Sequence, residues 1–155
     1  MSNYKKQEFD FIQRTKSIIK QYETFQINKE EKYEVTLFLN CLVGLFILPQ
    51  QHWFEFIPEE LISNNEWGIS ESNIIFIREN ETKNVKDISR HIRNSITHYS
   101  FEVFSNGNNE IDRIVFQDFN PSKVKTFEAN IPLREFRTFV DKFCSTLIAL
   151  MTTQK

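Results

Sequence analysis

The chain has 155 residues and a mass of 18.6 kDa, with 40% hydrophobic and 26% charged residues, the balance of a soluble globular protein large enough to bury a core. A formal net charge of −2 excludes a surface covered in basic residues, although nucleic-acid binding depends only on local charge at a site. Three Gly and four Pro are too few for a turn-rich chain and favour long helices.

Taken in chain order, the first segment, MSNYKKQEFDF, has no apolar run after its lysines and so no signal-peptide pattern. A first helix is predicted over about 3–22, with Phe9, Ile12, Ile18 and Ile19 roughly on one face. The polar link ETFQINKEEK leads to the most apolar run, VTLFLNCLVGLFILP at 35–49. That run is shorter than the about 18–20 residues needed to span a membrane. It reads as a helix buried on nearly every side and closed by Pro49. Asn40 inside it is predicted to be a buried amide in need of a partner, from neighbouring groups or from a later helix. Pro58, followed by two glutamates, predicts a short third helix.

Between residues 64 and 84 the pattern is ambiguous: SNNEWGISESN is turn-rich, and IIFI fits strand or helix. A further helix begins near Asn84, with Asn84 or Thr82 as its cap and Ile88, Ile92 and Ile96 on its apolar face. YSFEVFS and IDRIVFQD then alternate apolar and polar residues around NGNNE, where Asn106–Gly107 signals a hairpin. KTFEANI offers a third strand. Pro132 opens the last helix, whose Phe136, Phe139, Val140, Phe143, Leu147 and Ile148 form a core stripe. The expected architecture is one mainly α domain over 1–155, a bundle of four to five helices with a β-hairpin inserted before the last. The 16 Phe predict a core of aromatic packing. Cys41 and Cys144, distant and in apolar runs, read as buried thiols of a cytoplasmic protein.

Much chemistry is excluded. Three scattered glycines build no phosphate-binding loop, and there is no Gly-x-Ser-x-Gly elbow. No Cys-x-x-Cys or His-Glu-x-x-His is present, so no metal or cofactor is expected. What remains is SRHIRNSITHYS, residues 89–100, which gathers Arg90, His91, Arg93, Asn94 and His98 on one short helix. Those residue types suffice for metal-free RNA cleavage. RNA carries its own nucleophile, the 2′-hydroxyl; a neutral histidine takes its proton, an arginine holds the phosphate, and an asparagine orients either partner. Arg followed by His at four to six residues is expected by chance about 0.4 times in such a chain. Adding Asn directly after the Arg, at one fixed spacing, lowers that to about 0.01.

Geometry complicates the pair. Five helical residues turn about 140° beyond a full revolution, so Arg93 and His98 do not share a face, whereas Asn94 and His98 do. Either the helix ends near Thr97 and turns His98 inward, or a two-fold dimer brings two copies of the motif into one cleft.

Arg93-Asn94-Ser95-Ile96-Thr97-His98 resembles the Arg-x4–6-His motif of HEPN domains, in its Arg-Asn-x-x-x-His form. LFLNCLVGLFILPQ, IVFQDFNP and PLREFRTFVDKF are similar to segments of the plasmid- and defence-associated branch, so the likeness runs from about residue 5 to 150. The resemblance implies a HEPN-like helical bundle that works as a homodimer. It also implies a metal-independent endoribonuclease in a toxin or phage-defence role, with an antitoxin or companion defence protein as a further partner and no membrane. Arg93 and His98 would be the catalytic pair and Asn94 their polar helper. Arg90 and Tyr99 are candidate substrate contacts, and Asn40 a supporting polar group. In toxins paired with nucleotidyltransferase antitoxins a tyrosine stands two residues after the histidine; here Ser100 takes that place, so tyrosine modification does not carry over.

Blander readings stand beside these. The motif can be a solvated helix end with His98 as its cap, His91 reads as surface, and Tyr99 can be a core aromatic opening a strand. Lys83, Lys86, Lys123 and Lys125 either line an RNA approach or are plain surface charge. The alternative function is a catalytically silent HEPN-like dimer that binds RNA, a nucleotide or a protein partner.

Overall fold

The computed structural model describes residues 6–25, 33–64, 67–107 and 110–153. Residues 3–5 of the first predicted helix, most of the polar link and the tip of the NGNNE turn lie outside the described residues. Two compact units emerge, residues 1–55 with 144–155, and residues 56–143.

In the first unit, α1 (Gln7–Thr24) buries Ile12 and Thr15. Helix α2 (Glu34–Leu42) runs through a π-helical turn at Val43–Ile47 into α3 (Pro49–Trp53). The π turn is closed by the Leu48 N–H, which donates to the Val43 carbonyl at 2.9 Å. Pro49 then sits at the first position of α3, where its missing N–H costs nothing. It therefore begins a helical segment rather than closing one, contrary to expectation. The Leu45 carbonyl, four residues before the proline, accepts instead from the Cys144 thiol at 3.2 Å. Helical structure continues over Glu34–Phe56, 23 residues containing an 18-residue window of mean hydropathy 1.3, long and apolar enough to cross a membrane by length and composition alone. Phe38, Leu42 and Gly44–Ile47 are buried, as in a core helix. Gly44 permits close approach to α1: a Cβ there would lie 2.7 Å from Thr15 Oγ1. Asn40 is exposed, so the expected buried amide is corrected.

The second unit corrects the fold class. Among the described residues, β1 (Ile74–Ile77), β2 (Phe101–Ser105), β3 (Ile111–Phe119) and β4 (Lys125–Pro132) form one antiparallel sheet in the order β1-β4-β3-β2. A mainly α bundle with one hairpin does not describe this. The hairpin is there, as β2 and β3, but KTFEANI extends it and IIFI completes the sheet as an edge strand. IIFI is too short for a stable helix, and its backbone groups find the free side of β4, with Ile74 opposite Ala129 and Ile77 opposite Phe127. The short helix expected after Pro58 is a 3-10 turn at Ile62–Asn64.

Alternation decides which strand residues turn inward. Ile114, Phe116 and Asp118 of β3 are buried, as are Phe127, Ala129 and Ile131 of β4. Helix α4 (Val85–Thr97) packs against β3. Its N-cap is Asn84, whose side chain accepts from the Asp87 N–H at 2.7 Å. Helix α5 (Leu133–Thr153) starts directly after Pro132 and brings Phe136 to 4.9 Å from Phe116, centroid to centroid. Gly68 adopts φ +81°, and a Cβ there would fall 2.5 Å from Thr138 Cγ2. Gly68→Ala is expected to lower stability by about 1–3 kcal/mol, read as a shift in denaturation midpoint at constant slope. An unchanged midpoint would show that the loop carries no such constraint.

Candidate functional site

Helix α4 presents two different ends of chemistry. Toward its middle, on the sheet side, lies His91, which sequence reasoning placed on the surface. It is buried, with 1% of its side chain exposed. Its Nε2 lies 2.6 Å from Glu81 Oε2 and its Nδ1 2.7 Å from Asp118 Oδ2. The ring stacks on Phe127 at 4.8 Å and 3°. Each ring nitrogen thus faces a carboxylate oxygen, and because ionised carboxylates only accept hydrogen bonds, every N–H the ring carries is donated into this pair.

The network continues in both directions. Glu81 also accepts from Arg78 and Arg90, and Arg90 lies 3.6 Å from Asp87. Asn94 Nδ2 donates to Asp118 Oδ2 at 3.0 Å, while Asn94 Oδ1 accepts from the Arg93 guanidinium at 3.1 Å. The Phe119 N–H donates to the second oxygen of Asp118 at 2.9 Å. Burial would raise the Glu81 carboxyl, but hydrogen bonds from Arg78 and His91, with the charges of His91 and Arg90, hold it below its ordinary value. Asp118 follows the same logic: burial raises it, and His91 and Asn94 outweigh burial. Arg93 is pushed the other way. Burial and the neighbouring Arg90 charge lower its guanidinium, and Asp118 only partly offsets them.

At the C-terminal end, α4 stops at Thr97. The Tyr99 N–H donates to the Ile96 carbonyl at 3.2 Å, and the Ser100 N–H to the Ser95 carbonyl at 2.7 Å. These two bonds make a Schellman cap. They put His98 at the C-cap and Tyr99 in the left-handed position, at φ 53°. His98 is exposed rather than turned inward. Tyr99 is 84% exposed, so it does not open the strand as a core aromatic.

The sequence-predicted residues therefore separate. Arg93 and Asn94 are joined; Arg90 is committed to Glu81; His98 and Tyr99 stand in solvent just beyond the helix; Asn40 belongs to the other unit. Of the four lysines, Lys86 pairs with Glu59 at 3.1 Å, Lys125 with Glu128, and Lys83 donates to the Glu71 carbonyl at 3.2 Å. Reasoning from sequence missed Glu81, His91 and Asp118. Two signals were available. Asp118 continues the inward row of Ile114 and Phe116, and His91 lies about 60° around the helix from Ile88, beside the small Ser95. A carboxylate on an inward row demands a cation.

Among the described residues no cluster of three or more His, Cys, Asp or Glu is placed to hold a metal. A model of the family described as HEPN pEK499 p136 matches residues 1–154. No curated protein and no solved structure matches the chain.

Proposed function

Because this chain belongs to the HEPN pEK499 p136 family, we propose that it is a metal-independent endoribonuclease built around Arg93, Asn94 and His98. The observation that carries this reading is the end of α4, where an exposed imidazole follows an arginine held in place from the sheet. The chain Asp118–Asn94–Arg93 fixes the guanidinium through two hydrogen bonds, at 3.0 and 3.1 Å. Burial and the nearby Arg90 disfavour its charge, and a phosphate bound beside it offsets that cost.

In the proposed reaction the substrate 2′-oxygen attacks phosphorus, forming the O2′–P bond as the P–O5′ bond breaks. His98 takes the 2′-proton, and the imidazolium of a second copy's His98 gives one to the leaving 5′-oxygen. Arg93 stabilises the charge that builds on the phosphoryl oxygens. The products are a 2′,3′-cyclic phosphate and a 5′-hydroxyl. Two copies are invoked because Arg93 and His98 leave α4 in different directions, so a two-fold cleft supplies each with the other's counterpart. Tyr99 is a stacking surface for a base. A role in toxicity or phage defence, with an antitoxin or companion protein, fits the same reading.

The test is direct. Purified protein incubated with single-stranded RNA and EDTA is expected to yield cyclic-phosphate ends, and light scattering to report a dimer. RNA bound in a salt-dependent manner without cleavage would replace the nuclease with the silent HEPN-like binder. A monomer would remove the shared cleft.

A further inference from the structure

The left-handed residue of a Schellman cap is ordinarily glycine, because a Cβ is crowded there. Tyr99 occupies it at φ 53° with its ring almost wholly in solvent. Backbone strain kept for the sake of a large exposed side chain points to a task for that side chain. Beside it lies a cavity of about 270 Å³ lined by Tyr99, Ser100, Phe101, Glu102, Val115 and Gln117. Strand pairing explains the grouping. Glu102 stands opposite Val115 in the β2–β3 ladder, and the Gln117 N–H donates to the Ser100 carbonyl at 2.9 Å. Ser100 and Glu102 thus share a sheet face with Val115 and Gln117. The Tyr99 ring meets Phe101 edge-on at 5.4 Å, which braces it at the cavity's end.

The lining carries one carboxylate and no cation, so a phosphate is not its occupant. An aromatic wall, a carboxylate and a primary amide suit a planar ring with adjacent N–H donors. Of the four bases, guanine alone presents two neighbouring donors, N1–H and N2–H, with an acceptor, O6, on the other side of N1. Adenine presents an acceptor at N1 and a donor at N6, the reverse of what this pair of side chains requires. Cytosine and uracil each place an acceptor against the carboxylate.

We propose that this cavity is a guanine subsite, in which Tyr99 stacks on the base, Glu102 accepts from N1–H and N2–H, and Gln117 donates to O6. The inference rests on the ribonuclease reading for its meaning: the residue after His98 would hold the base whose 2′-hydroxyl attacks, and cleavage would follow guanosine. The cavity's ligand selectivity, by contrast, is measurable without any cleavage.

Calorimetric titration of the intact chain with 3′-GMP, 3′-AMP, 3′-CMP and 3′-UMP is expected to show 3′-GMP at least about tenfold tighter than the others. Glu102→Gln removes that preference, since an amide offers a donor where guanine needs an acceptor. Tyr99→Gly weakens 3′-GMP binding without lowering the melting temperature, because glycine fits the left-handed position. Equal affinity for all four nucleotides overturns the subsite. So does binding of N-acetylarginine amide in their place, which would mark a peptide site. An active nuclease whose cyclic-phosphate ends carry all four bases equally also overturns it, while leaving the nuclease reading intact. An inert chain that still selects 3′-GMP upholds the subsite and ends the nuclease reading.

Discussion

Replacing His98 with alanine is expected to lower RNA cleavage by about 10²- to 10⁴-fold, the usual contribution of a positioned acid–base group, while leaving the fold unchanged. Both halves follow from where the residue sits. His98 caps α4, exposed, and its backbone N–H bond to the Asn94 carbonyl at 2.9 Å survives any side-chain change. Exposed substitutions of this kind stay within about 0.5 kcal/mol, with at most a small further loss from the helix dipole. Cleavage rates on a defined RNA, with melting temperature measured on the same sample, separate the two effects. Activity within tenfold of wild type would remove His98 from the mechanism. A large drop in melting temperature would make the result one of folding rather than chemistry.

The second expectation concerns stability. His91→Ala leaves Glu81 and Asp118 facing an empty site, each with 7% side-chain exposure. Glu81 keeps Arg78 and Arg90, whereas Asp118 keeps only uncharged hydrogen-bond donors, Asn94 and the Phe119 N–H, among the bonds described above. Removing one partner from a buried charge network costs about 3–5 kcal/mol, a large share of a domain's stability. The effect depends on pH in a definite direction. Both carboxyls lie below their ordinary values in the folded protein. The stability they contribute is present above the unfolded carboxylate range, near ~3.9–4.3, and is lost as pH falls through the folded values. In the variant Glu81 keeps its two arginines but Asp118 loses the His91 ring, and burial then favours the protonated form of Asp118. The gap between wild type and His91→Ala therefore narrows on acidification. Denaturation midpoints between pH 7 and pH 3 measure it; a gap that is small at pH 7, or constant with pH, contradicts the network's role. Arg93 stands at the far end of the same chain of bonds, so His91→Ala is expected to lower cleavage as well.

Local rules were readable wherever a side chain acts on its own element. The 88–92–96 isoleucine row marked α4, Asn84 marked its start, and alternation marked β2 and β3. What escaped is what depends on partners far along the chain. IIFI becomes a strand only because β4 has a free side, and no periodicity in four apolar residues reports that. Pro49 reads as a stop because the rule for proline assumes an α-helical neighbour; a π turn ahead of it makes position 49 a first turn instead. The fold class failed for the first of these reasons. At the motif, the stop at Thr97 was one of two options open from geometry, but His98 faces solvent rather than the interior. Asp118 and His91 each look anomalous alone, an acid on an inward row and a histidine at the edge of an apolar stripe. They explain one another once β3 lies against α4.

The Cys144 thiol gives this chain a built-in clock. It is fully buried and donates to the Leu45 carbonyl, so alkylating reagents reach it only when the α5 segment lifts from the π turn. Cys41, half-buried and with its thiol pushed up by burial, is reachable without such an opening. Labelling the two side by side, with mass detection, would time that opening against ordinary surface access. It would do so with no engineered probe.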